Sequence, residues 1–188
     1  MTDFVGLVAS ALARTRAQAQ SRLAAGKQRG LRRVAELAAS GLSPAEVLKS
    51  VAVEASALLD GKAVTLVRLE EDEQNGTVVA VSGDHAPLGL RFAVDGDNAA
   101  ARIRRSGRPE RIDDYANVRG TSPAEDLGVR ASVGVPVIIS GRLWGMIAAV
   151  SADKPLPAGT EGRLSRFAEI AAAAISSAQN RDDFQRLA

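Results

Sequence analysis

Residues 127–151 read LGVRASVGVPVIISGRLWGMIAAVS, and the reading of this stretch decides the fold. Val133, Val135, Val137 and Ile139 alternate with Ser132, Gly134, Pro136 and Ile138. A period of two in β-branched residues predicts a strand with one face in a core. Leu143 to Val150 is almost continuously apolar, which predicts a second strand covered on both faces. Ser140-Gly141-Arg142 joins the two, and glycine suits the turn because it takes positive φ without a steric penalty. Pro136 has no amide hydrogen to give to a ladder, so an edge or a bulge is expected there. Gly134 and Gly145 predict the close approach of a backbone or a ligand.

Around this hairpin, 188 residues suffice for one domain with a sizeable core. The chain is 46% hydrophobic but only 3% aromatic, which favours close-packed alanine-rich helices beside a modest sheet. With 24 basic and 22 acidic residues the charges nearly balance, so nothing drives the chain toward nucleic acid or a membrane surface. There is no cysteine. Disulfides, thiolate nucleophiles, thiolate-ligated zinc and thioether attachment of a cofactor are therefore excluded. The single histidine, His85, rules out a multi-histidine metal site within one chain. The opening MTDFVGLVASALA lacks a basic start and carries Asp3, so it is not read as an export signal. A cytoplasmic protein is expected.

Upstream, residues 1–29 predict one helix whose thin stripe includes Val5, Val8 and Leu12, and a second helix runs from Leu31 to Ser40. Ser43-Pro44-Ala45-Glu46 is a capping box that opens a helix to about Leu59, with Val47, Leu48, Val51, Val53 and Ala55 inward. The period then changes: Ala63–Leu69, Thr77–Val81 and Leu88–Val94 read as strands. Asp97 is expected to cap a short helix, 98–106, followed by an extended piece at Glu110–Ile112 and an irregular segment, 113–126. After the hairpin, Thr160 caps a last helix in which Leu164, Phe167, Ala171, Ala174 and Ala178 recur at three-four spacing. Strands joined by short links imply a mostly antiparallel sheet of about five to six strands, an α+β fold.

This order resembles the GAF domain, in the form found in actinobacterial sensor histidine kinases and related regulators. The resemblance rests on LRRVAELAASGLSPAEVLKSVAVEASALLDG, on VDGDNAAARIRRSGRPERIDDYA, and on GVRASVGVPVIISGRLWGMIAA followed by LPAGTEGRLSRFAEIAAAAIS. It implies a central antiparallel sheet with the terminal helices on one face and short helices and loops over a pocket on the other. It divides the chain into a signalling and dimerisation helix, 1–30, a sensor domain, 31–180, and a helical extension, 181–188. It implies a homodimer joined through Val8, Leu12, Leu164, Phe167, Ala171, Ala174 and Ala178, which relays ligand state to an output domain or a partner kinase. The expected function is two-component-type signal transduction: small-molecule sensing without catalysis. Bilin-binding members use a cysteine, as do free methionine sulfoxide reductases, and this chain has none. The Asn-Lys, Phe, Asp-Glu signature of cyclic-nucleotide-binding members is not found around 117–126.

For the ligand, whose identity the residues leave open, the expected contacts are Tyr115, Trp144, Arg91, Arg102, Arg105, Asp113 and Val135. Tyr115 and Trp144 are the sole Tyr and Trp, each with an apolar body and one polar tip. The arginines could hold an anion, although a solvated helix face partly neutralised by Asp113 and Asp114 is the plainer reading. His85 is a minor candidate as a haem ligand against a solvated loop histidine. A ligand-free dimerisation scaffold and a haem or gas sensor are the alternatives.

Overall fold

The computed structural model describes residues 32, 36, 43–71, 74–120 and 123–187, with side chains to 177. The expected helices over 1–29 and 31–40, with Val8 and Leu12, lie outside the described residues. Helix α1, Pro44–Leu58, starts on the expected capping box: the Ser43 backbone N–H donates to Glu46 Oε2 at 2.9 Å, and the Glu46 N–H donates back to Ser43 Oγ. Its inner face is Val47, Leu48, Val51, Ala52 and Ala55. Val53 was expected among them but is 48% exposed, because two residues beyond Val51 is a turn of about 200°.

Six strands follow: β1 Ala63–Leu69, β2 Asn75–Val81, β3 Arg91–Ala93, β4 Glu110–Ile112, β5 Ala131–Ile139 and β6 Arg142–Ser151. They form one sheet in the order β3-β2-β1-β6-β5-β4, every neighbouring pair antiparallel, so the fold is α+β as expected. Helix α2, Ala99–Ser106, joins β3 to β4, and helix α3, Thr160–Leu187, ends the chain. The third strand is shorter than expected. Gly89 takes φ +82° and residues 88–90 turn back onto Val78, which accepts from Gly89 N–H and donates to Leu90 O.

The hairpin forms as expected, with Ser140 and Gly141 both at positive φ, the backbone of a tight two-residue turn. Strand β4 reaches only as far as Gly134 on β5, so Pro136 sits where β5 has no further strand beside it among the described residues. One residue later the β5–β6 register slips: Val137 faces Gly145 and Ile138 faces Leu143, leaving Trp144 as the extra residue of a bulge.

The sheet has two covered faces. On one, α1 and α3 pack against Val64, Leu66, Val133, Val135, Val137, Ile147 and Ala149. On the other, α2 and its flanking loops cover Val67, Val78, Met146 and Ala148. Gly134 decides how closely α2 sits, because a Cβ there would lie 2.8 Å from Ile103 Cδ1. Gly145 backs onto the Val67–Arg68 backbone of β1. The expected backbone approach is found at Gly145, whereas at Gly134 it is the Ile103 side chain that comes close.

A neutral cavity under helix α2

The α2 face holds a cavity of about 80 Å³. Its floor is Thr65 and Val67 of β1, Val78 of β2, Ser132 of β5, and Met146, Ala148 and Val150 of β6. Its roof is Asn98, Ala99 and Ala100 at the start of α2, Leu90 and Phe92, His85 and Ala86, and the segment carrying Tyr115, Pro123, Ala124, Leu127 and Val129. Tyr115, Ala124 and Val129 also line an open cleft outside, so these three residues stand between that cleft and the cavity.

Asn98 starts α2 and is buried; its Oδ1 accepts from Ala101 N–H at 2.9 Å and its Nδ2 donates to Ala93 O at 3.3 Å. This corrects the expectation that Asp97 is the cap. An amide can both accept and donate in a buried position, which a carboxylate cannot. Asp97 instead receives Arg102 at 2.6 Å and Arg105 at 2.9 Å, and Arg102 holds its carboxyl below the usual range. Thr160, the other expected cap, is the first residue of α3 and donates to Pro157 O.

Two polar pairs face the cavity. Tyr115 Oη and Ser132 Oγ are 3.0 Å apart. Burial raises the phenol pKa, opposed by its hydrogen bonds with Ser132 and the Ala99 backbone at the start of α2. On the opposite side, His85 Nδ1 lies 3.1 Å from Ser82 O and His85 Nε2 2.5 Å from Thr65 Oγ1. A carbonyl only accepts, which assigns the proton to Nδ1 and leaves Nε2 to accept from Thr65. Burial lowers the His85 pKa, and the Ser82 carbonyl partly offsets this.

Of the residues expected to meet a ligand, Tyr115 and the minor haem candidate His85 line the cavity, and Trp144, Arg91, Arg102, Arg105, Asp113 and Val135 do not. Val135 points to the helix-packed face, as alternation from Ser132 requires. Trp144 packs on that face too, since the bulge gives β6 one extra residue and reverses its side-chain parity. Arg91 forms a fork on Glu70 across the β2–β3 edge. Arg102 and Arg105 clamp Asp97, with Arg105 also donating to Gly96 O at 2.7 Å. Asp113 pairs with Arg111 at 3.3 Å. Arg111 donates further to Glu161 Oε1 and Leu156 O at 2.7 Å each and to Pro157 O at 3.1 Å, tying β4 to the entrance of α3. Glu161 is held below the usual carboxylate range by that contact.

Leu164, Phe167, Ala171 and Ala174 require a second correction. All four are buried inside this chain's own core, against α1 and the sheet, because their stripe is the one that seats α3. They leave no surface for another subunit. Ala178 lies beyond the described side chains.

Thr65, Asn98 and Ser132 are the cavity residues that sequence reasoning passed over. The signal differs among them: Thr65 and Ser132 are polar residues within largely apolar strands, and Asn98 is a cap-forming residue immediately before a helix.

An antiparallel sheet closed by helices on one face, with a small neutral cavity under a short helix on the other, defines the class of α+β domain to which the chain belongs. The GAF domain family model matches residues 43–175, well over half of the chain, and the chain belongs to that family. The fold is shared with the phycocyanobilin-bound GAF domain of a cyanobacterial phytochrome, at TM-score 0.68 and 20% identity over 82% of this chain and 96% of that one. It is shared with the GAF domain of a phosphoenolpyruvate-protein phosphotransferase from Coxiella burnetii, at TM-score 0.69 and 19% identity over 85% and 98%. Free methionine-R-sulfoxide reductase from Neisseria meningitidis, solved with its substrate, gives TM-score 0.69 and 15% identity over 82% and 91%. Among curated proteins none matches significantly. No helix among the described residues is long and apolar enough to cross a membrane, and none of their side chains form a His, Cys, Asp and Glu group that could hold a metal ion.

Proposed function

We propose that this GAF domain is a non-catalytic sensor of the kind found in actinobacterial sensor kinases and related regulators. A small molecule enters past Tyr115, Ala124 and Val129, occupies the cavity, and biases the packing of the terminal helices. The cavity under α2, with two hydroxyl-bearing pairs set into an apolar lining, is the observation that carries the reading. The Arg111 clasp supports a route for the signal, since the strand leading into the Tyr115 segment also grips the first turn of α3. Dimerisation would use the outward stripe of α3, which includes Arg166, Glu169, Ala173 and Ser177, together with the N-terminal segment. The output is a second domain or a partner protein. A thiol-dependent reductase activity has no cysteine to use.

Native mass spectrometry of the purified protein tests this. A bound small mass in the wild type that is absent from Ala148→Phe, whose side chain fills the cavity, is the expected result. Wild-type protein free of any adduct and unmoved by a metabolite panel in thermal unfolding would sink it.

The ligand-free scaffold keeps one observation in its favour: among the described residues no buried side-chain polar atom lacks a partner, so the cavity is satisfied without a guest. The haem alternative is weaker. His85 Nε2 already accepts from Thr65, and about 80 Å³ is far below the roughly 300–1,000 Å³ of sites for larger ligands.

A further inference from the structure

Among the described residues the cavity lining holds no lysine, arginine, aspartate or glutamate. Its imidazole, His85, is tied into a neutral tautomer by a carbonyl acceptor on one nitrogen and a hydroxyl donor on the other. The charged groups nearby are turned to other work: Arg102 and Arg105 to Asp97, Arg111 to Glu161, and Asp114 to Arg130 and the Ala116 amide. A charged guest would therefore meet no unpaired counter-ion in the cavity lining, which is far more costly than burying a hydrogen-bonded neutral group. The hydroxyls of Tyr115, Ser132 and Thr65 can each donate and accept, so a guest can insert into either pair without stranding its partner. Strand register sets the spacing of the two pairs. Thr65 lies opposite Ala148 and Ser132 opposite Val150, two strands apart and two residues offset, or roughly 12 Å between their Cα atoms.

We propose, on the reading of this cavity as a sensor site, that it takes a small uncharged molecule and rejects anions. The guest has an apolar body, no larger than one ring, seated on Val67, Val78 and Met146. A hydroxyl or amide group points at Ser132 and Tyr115. Nucleotides and carboxylates are outside its range.

Phenol and benzoate, one ring with a neutral or an anionic group, make the test by amide-resolved NMR titration near neutral pH. Phenol is expected to shift the Ala99, Ser132 and Ala148 amides with at least tenfold tighter Kd than benzoate. Ser132→Ala should weaken phenol by about tenfold, the loss of one hydrogen bond. Benzoate binding at these amides as tightly as phenol would overturn the proposal while leaving a sensor for anions standing. Neither probe shifting them at millimolar concentration would overturn the neutral-guest proposal, and with an adduct-free native mass would take the sensor reading with it.

Discussion

Val133, Val135 and Val137 of β5 meet α3, whereas Ser132 and Gly134 of the same strand meet α2 and the cavity. The first face is covered by two long helices whose branched and alanine side chains fill the space. The second is covered by an eight-residue helix and loops, which cannot close every gap, and the gap carries hydroxyls. One sheet thus separates packing from binding residue by residue, and the difference predicts that matched substitutions on the two faces behave differently.

The largest contrast is between Leu164 and Leu90. Leu164 is fully buried, so Leu164→Ala should cost about 3 kcal/mol in urea unfolding, whereas Leu90→Ala, at the cavity rim, should cost about 1 kcal/mol. Equal costs would erase the proposed asymmetry. The neighbours Ala148 and Ala149 sharpen it. Ala149→Val should overpack the helix face by about 1–3 kcal/mol, while Ala148→Val grows into open space and should be close to neutral. A destabilised Ala148→Val would mean that the cavity walls do not yield.

The smallest effect belongs to His85. Its folded pKa lies below the ordinary 6.5 because burial disfavours the charged ring. Above 6.5 both folded and unfolded chains keep it neutral and the stability is full. As pH falls below 6.5 the unfolded chain takes the proton first, and stability is lost until the folded pKa is passed. Unfolding midpoints across that window should fall further in wild type than in His85→Gln. Parallel profiles would remove His85 as the titrating group.

The fold was legible because its signals are local. The alternation of residues 132–139, the Ser43–Glu46 capping box and the Ser140-Gly141 turn each act within a few residues, and each formed as read. The cavity was much less so, because which face a residue joins depends on register. Trp144 would face the cavity on an unbroken strand, and one bulge moves it across the sheet. The arginines around α2 looked like an anion site in one dimension. In three, Asp97 and the Gly96 carbonyl occupy Arg102 and Arg105, and α3 with its preceding loop occupies Arg111. Leu164 and Phe167 show the same gap: a helical stripe announces that something is buried without saying against what.

The bulge at Trp144 also leaves the molecule with two optical reporters that do not overlap. The single indole lies against the helix layer and the single phenol against the cavity, with the sheet between them. A guest beside Tyr115 has no direct contact with Trp144. With excitation confined to the indole and a guest that does not absorb in its band, a change in indole emission on binding would record rearrangement transmitted through the strands, readable in the unlabelled protein.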